Sequence, residues 1–181
     1  MISRTGYTGE FGYEIYADNK DISIIWDELI SGGQSYGILP AGLGCRDILR
    51  LEMGYALYGN DISAKFNPYE SGLSWITKIK NNNFIGKESL INKDFKRKQI
   101  AFEMIDRCIP RSGYSIEIRN IKIGEVTSGT MSPILKKGIG MGIVDSISLK
   151  ESDIININIR GKIKIARLVK LPFYKNGSLR F

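Results

Sequence analysis

Six short runs in the second half of the chain restrict its fold more than any other feature: "QIAFEMI", "YSIEIRN", "IKIGEVTSG", "IGMGIV", "DIININIR" and "KIKIARLV". Each alternates apolar with polar or small residues, so each has the period of a strand with one face turned to a core. Turn-forming residues separate them, and the spacing predicts a compact antiparallel β domain from Gln99 onward. Between two isoleucine-alternating runs, Arg160-Gly161 is the expected two-residue hairpin turn. With 43% apolar side chains in 181 residues there is enough material for a real core. No 18-residue apolar run exists for a membrane span, and Met1-Ile2-Ser3-Arg4 has no secretory-signal character, so a soluble, cytoplasmic protein is expected.

The first half reads differently. Phe11, Tyr13, Ile15 and Ala17 alternate with Gly12, Glu14 and Tyr16, which predicts a strand over 11–17. In "DNKDISIIWDELISGG" Ile22, Ile25, Trp26, Leu29 and Ile30 recur at helical spacing, with Gly32-Gly33 as the expected stop. A second helix is predicted across "AGLGCRDILRLEMG", with Asp47 and Arg50 on its polar side and Arg46 one turn from Arg50. Beyond a turn-rich stretch, "LSWITKI" reads as a strand and "FIGKESLINKDF" as a short helix. The resulting class is α+β, with one domain over 1–92, a charged linker over 93–98 and the β domain over 99–181.

Composition narrows the chemistry. The chain has no histidine, which removes imidazole acid/base work and histidine metal ligation. Cys45 and Cys108 lack metal-site spacing and suggest neither a disulfide framework nor a metal. A net charge of +7 suits an anionic ligand or an acidic partner. Nucleic acid is not expected, because the densest basic cluster, "KDFKRKQ" at 93–99, carries one aromatic and falls in the linker. The glycine series "GIGMG" at 138–142 has no strand-loop-helix setting for a phosphate loop.

Three residues stand out as candidates for binding. Glu14, on the polar side of its strand, can accept two hydrogen bonds from the flat donor edge of an amino-pyrimidine, or can be an exposed strand glutamate. Arg46 offers a donor fork, or an ion pair within the fold with Asp47. Tyr7, set between Gly6 and Thr8-Gly9, can stack on a ring or plug the edge of a core.

The ordered series "SRTGYTGEFGYEI", "GLGCRDILRLEMGYALYGNDI", "IPRSGYSI", "GEVTSGTMSPILKKGIGMGIV" and "IRGKIKIARLVKLPFYK" resembles the glycine cleavage system T-protein, an aminomethyltransferase, over nearly the whole chain. The resemblance implies part of a folate-binding domain followed by a C-terminal antiparallel β-barrel. It implies transfer of an aminomethyl carbon from lipoylated H-protein to tetrahydrofolate, giving 5,10-methylenetetrahydrofolate and ammonia. On it, Glu14 and Arg46 contact the folate and Tyr7 belongs to the same site, and Lys175 or Arg180 supplies a basic residue near the ligand. Phe11 stands where an aspartate is usual and Cys45 where an alanine is usual.

The family's chain is about twice as long, and the aspartate that assists attack and ammonia release has no counterpart here. No catalytic residue and no metal ligand are therefore assigned. The expected reading is a C-terminal half, inactive alone and completed by a separate N-terminal half, with its strand at 11–17 left short of partners. Two alternatives stand beside it: a non-catalytic folate-binding fragment, and a folate-dependent demethylating relative, for which no dinucleotide fingerprint is present.

Overall fold

The computed structural model describes residues 1–80, 83–91, 95–145 and 148–179. In chain order these form β1 (Ile2–Ser3), β2 (Glu14–Ile15), α1 (Asn19–Gly33), α2 (Leu43–Glu52), β3 (Arg97–Met104), β4 (Ser115–Ile118), β5 (Ile121–Ser132), β6 (Lys137–Asp145), β7 (Ile154–Ile159) and β8 (Lys162–Val169). All six runs of the second half are strands. They close into an antiparallel barrel in the order β3-β6-β5-β4-β7-β8, with β8 returning to β3.

Barrel closure leaves no free edge, and alternation fills the interior. Ile100, Phe102, Met104, Ile116, Val126, Val144, Ile155, Ile157, Ala166 and Leu168 make one buried cluster. The glycines of "GIGMG" belong to this packing. A Cβ on Gly140 would lie 2.5 Å from Phe102 Cζ and one on Gly142 2.4 Å from Ile116 Cδ1, so their missing side chains make room for large neighbours. From the opposite face of β6, Ile139 and Met141 join Leu51 of α2 and Phe173 in a second cluster outside the barrel. Thus β6 is buried on both faces, and the α2 segment is seated against the barrel wall.

The Arg160-Gly161 turn forms as expected, with φ of 53° and 83°, the left-handed pair of a type I′ hairpin. Asn158 Oδ1 accepts from the Gly161 N–H at 2.9 Å and braces it. Arg119-Asn120, joining β4 and β5, is a second pair with positive φ.

Elsewhere the expectations need correction. The strand expected over 11–17 is reduced to Glu14–Ile15, because only Ile2–Ser3 lies beside it and the ladder has two residue pairs. Phe11, Tyr13 and Tyr16 remain exposed. Helix α1 does stop at Gly32-Gly33 as expected, and a separate 3-10 turn over Gln34–Tyr36 follows it. That turn ends at left-handed Gly37, where the Gly37 and Ile38 N–H groups donate to the Gln34 and Gly33 carbonyls in a Schellman closure.

The stretch 73–79 is a series of tight turns rather than a strand. The Thr77 hydroxyl donates to the Leu73 carbonyl at 2.9 Å, and the Ile76 and Thr77 amides donate three residues back. Of the helix expected over 84–95, residues 84–91 hold a 3-10 turn at Lys87–Ser89, entered through left-handed Gly86, and residues 92–94 lie outside the described residues. Arg97 and Lys98, read as linker from sequence, are the first residues of β3. Residues 93 and 94 of the expected linker lie outside the described residues, as does Arg180. Among the described residues no helix is long and apolar enough to cross a membrane.

Candidate functional site

The end of α2 organises the site. Gly54, with φ of 72°, takes the left-handed position after the helix, and the Gly54 and Tyr55 N–H groups donate to the Leu51 and Arg50 carbonyls, both at 2.8 Å. A Cβ on Gly54 would also meet the Leu171 side chain at 2.7 Å. This terminator aims Tyr55 back toward the start of the chain, where its ring stacks on Tyr7 with centroids 5.8 Å apart and planes 26° apart. The Tyr7 hydroxyl donates to the Ala56 carbonyl at 2.5 Å. On the same ring sits the Arg46 guanidinium, its Cζ 4.7 Å from the centroid. Burial holds the Tyr7 phenol above its ordinary pKa, against the lowering effect of the Arg50 charge.

Two of the three candidates are thus brought together. Arg46 does not pair with Asp47; that role falls to Arg50, whose Nη2 lies 2.7 Å from Asp47 Oδ1. Arg46 is exposed, with its charge presented over Tyr7. Glu14 is half-buried on β2 and accepts a hydrogen bond from the Thr5 hydroxyl, whose oxygen lies 3.0 Å from Ser3 Oγ and can accept from that hydroxyl. Among the described residues no ion pair joins Glu14 to Arg46. Lys175 is exposed. Cys45 is exposed too, while Cys108 is half-buried and its thiol is pushed up by burial.

Behind this face lies a buried charge network that helical periodicity alone placed on a solvated side. The Arg50 side chain is 2% exposed and Asp61 is 0% exposed. Arg50 Nη1 donates to Asp61 Oδ2 at 2.8 Å and to the Tyr55 carbonyl at 3.0 Å, Nη2 donates to Ser128 Oγ at 2.9 Å, and Nε donates to Asp47 Oδ1 at 2.8 Å. Asp61 is equally well served, accepting from the Leu57 N–H at 2.9 Å, from Ser128 Oγ at 2.7 Å and from Thr127 Oγ1. Four donors on one carboxylate and a fully engaged guanidinium are what a charge pair needs to survive without water. Because Thr127 and Ser128 belong to β5, the network ties α2 and Tyr55 to the barrel. The available sequence signal is Asp47 and Arg50 at i, i+3 just before a glycine terminator.

The last described residues brace the opening loop. Phe11 N–H donates to Ser178 Oγ at 2.8 Å, Ser178 N–H donates to Glu10 Oε2 at 2.9 Å, and Leu179 N–H donates to the Gly9 carbonyl at 3.2 Å. Gly9 itself, with φ of 77°, is pressed on Met53. The Ser178 hydroxyl and then its backbone N–H hold the Glu10 carboxyl below the ordinary glutamate range. A depressed folded-state pKa means this contribution is present above the ordinary value and is lost as pH falls through the folded one. Amide exchange at Ser178 and Leu179 is expected to accelerate relative to barrel amides over that acid window, and to be fast at every pH in Glu10→Ala. An unchanged ratio would show that the carboxylate does not hold the tail.

Comparison with known proteins now decides the family. Residues 1–81 match the "GCVT N-terminal domain" and residues 97–175 the "Glycine cleavage T-protein C-terminal barrel domain". The chain belongs to the glycine cleavage T-protein family. It is 48% identical over 180 residues to an aminomethyltransferase of Chloroherpeton thalassium, covering 97% of this chain and 50% of that one. An aminomethyltransferase of Phocaeicola vulgatus is 49% identical over 181 residues, with 97% and 50% covered. The crystal structure of glycine cleavage system aminomethyltransferase T from Bartonella henselae superposes with a TM-score of 0.88 at 28% identity, over 99% of this chain and 50% of that one. The chain therefore spans about half the length of the curated T-protein relatives it matches.

Proposed function

We propose that this chain carries the tetrahydrofolate-binding part of an aminomethyltransferase, which moves the aminomethyl carbon of lipoylated H-protein to tetrahydrofolate and releases ammonia. The observation that supports this reading is the Arg46–Tyr7–Tyr55 stack. It presents an aromatic surface and a guanidinium together on an open face, at the positions where the family resemblance expects folate contacts. Folate enters as a substrate of this reaction.

Each residue then has a defined task. Glu14 accepts from the pterin's exocyclic amino group and neighbouring ring N–H, two donors that one ionised carboxylate can satisfy. Arg46 donates to polar oxygens of the ligand, held in place by its contact with Tyr7. Tyr7 is fixed through its bond to the Ala56 carbonyl, and Arg50 fixes Tyr55 through that residue's carbonyl. No residue here is assigned to proton transfer at the reacting nitrogen. On the family resemblance that aspartate falls in the half of the relatives' length that this chain does not match, so catalysis requires that half. The positive charge of the chain suits a polyglutamylated folate and an acidic carrier protein. The cytoplasm is the compartment this reading favours.

Calorimetric titration with tetrahydrofolate tests it. Saturable binding is expected, weakened by about 1–3 kcal/mol in Glu14→Ala and in Arg46→Ala, the cost of losing a charge-assisted hydrogen bond. Binding that survives both substitutions undiminished would reject the assignment. Turnover of aminomethylated H-protein by this chain alone would overturn the division of labour between the halves.

A further inference from the structure

Asn176-Gly177 is the one Asn-Gly pair in the chain, and every other asparagine is followed by a residue that carries a side chain. The pair lies in the segment that braces the loop ahead of β2. Gly177 is buried with its backbone pressed on that loop, and a Cβ there would stand 2.7 Å from the Gly9 carbonyl oxygen and 3.5 Å from the Met53 side chain. Only glycine fits so close an approach. The next amide, Ser178 N–H, donates to Glu10 Oε2, and the Ser178 hydroxyl accepts from the Phe11 N–H. Asn176 itself is exposed and belongs to neither helix nor strand. Asn60, Asn67 and Asn158, by contrast, are held by hydrogen bonds of their side chains. Among the described residues no hydrogen bond occupies the Gly177 N–H. The packing that demands glycine at 177 thus sets beside an exposed asparagine amide the one residue type whose backbone nitrogen has no side chain to shield it.

We infer that Asn176 is a site of spontaneous deamidation and isomerisation, and that its conversion unfastens the brace on the loop at Gly9, Glu10 and Phe11. The Gly177 nitrogen attacks Asn176 Cγ. The new N–Cγ bond closes a succinimide ring, the Cγ–Nδ2 bond breaks, and Nδ2 leaves as ammonia with the proton given up by Gly177. Water then opens the ring at one of its two carbonyls. Opening at Cγ leaves aspartate, and opening at the main-chain carbonyl leaves isoaspartate, in which the backbone runs through the side chain. One water is consumed and one ammonia released, with no change of oxidation state. Either product replaces a neutral amide with a carboxylate, lowering the net charge of +7 by one. The new charge stands two residues before the N–H that Glu10 accepts, where like charge opposes that bond. Isoaspartate also lengthens the backbone by a methylene immediately before Gly177, whose fit against Gly9 has no slack. Ser178 and Leu179 then fall out of register with the loop.

The test ages the purified full chain in mildly alkaline buffer, which favours attack by the backbone nitrogen, beside Asn176→Gln, whose longer side chain has to close a larger ring. Peptide mass mapping and labelling by an isoaspartate-specific carboxyl methyltransferase follow the chemistry. Conversion at Asn176 is expected to run about tenfold or more ahead of every other asparagine, a thermolabile residue type here meeting its least hindered neighbour. Amide exchange at Phe11, Ser178 and Leu179 is expected to quicken about threefold or more relative to barrel amides in the aged chain, and to keep its starting rate in aged Asn176→Gln. Because the Asn176 side chain is exposed, this variant should fold with the circular dichroism of the parent. The inference is overturned if Asn176 stays intact, if conversion spreads evenly over the asparagines, if Asn176 converts while the three amides keep their exchange rates, or if aged Asn176→Gln loosens as much as the parent. Neither readout involves tetrahydrofolate, so failure of the folate reading leaves both unchanged.

Discussion

Asp61→Ala is expected to lower the unfolding free energy by about 3–5 kcal/mol, the cost of stranding one member of a buried ion pair. Removal of the carboxylate leaves Arg50, 2% exposed, facing the void. It also strips the acceptor from the Leu57 N–H and the Thr127 and Ser128 hydroxyls. Asp47 remains near Arg50, but it is half-exposed and cannot replace a partner at the centre of the network. Asp61→Leu combined with Arg50→Met should recover only part of the loss, since the apolar pair still leaves those three donors unsatisfied. Urea unfolding followed by far-UV circular dichroism measures this through the shift in midpoint at constant slope. A cost below about 1 kcal/mol would mean that water enters the network and screens the charges.

Phe102→Ala is expected to cost a similar amount, about 3–5 kcal/mol, for a different reason. Phe102 is fully buried in the barrel, and its ring lies directly over Gly140. Truncation removes the ring's contacts and leaves a void that closed strands cannot collapse into without breaking ladder bonds. Gly140→Ala alone should also destabilise, because its new methyl would stand 2.5 Å from Phe102 Cζ. Made together the two changes should be less harmful than their sum, since the methyl enters space the ring has vacated. Strict additivity in a double-mutant cycle would show that the residues do not share that space.

The barrel was the most legible part of the sequence because its signal is local. Two-residue alternation sorts side chains in and out whatever the partner strand is, and Arg160-Gly161 announces its turn by residue type. What alternation does not encode is pairing. The run at 11–17 alternates as clearly as any barrel strand, yet its backbone pairing reaches only Glu14, Ile15 and, through Met1, Tyr16, because a ladder needs a neighbour and β1 is two residues long. The same holds for α1, whose apolar spacing describes a face and not what covers it.

Residue type misled at Arg50. Charged residues are almost never buried unless paired, so a helical arginine opposite leucines reads as solvated. Its partners Asp61 and Ser128 lie 11 and 78 residues away and give no periodic hint. In the candidate site, Tyr7 and Arg46 were singled out separately. Their contact depends on Gly54 turning Tyr55 under Tyr7, a three-residue event that residue spacing does not display.

The brace between Ser178 and the loop at Glu10 and Phe11 spans more than 160 residues of chain, a separation that bears on how the site comes into being. Synthesis proceeds from the amino end, and units nearer that end fold first where they can. Here the loop that carries Tyr7 precedes the barrel in the chain and its support follows the barrel. Phe173 seats beside Ile139 and Met141 on strand β6 of the barrel, and from there the tail runs back across the molecule. A chain synthesised only as far as the barrel thus carries its ligand loop unbraced, and a cut between Phe173 and Ser178 would return the folded protein to that immature condition without touching the barrel.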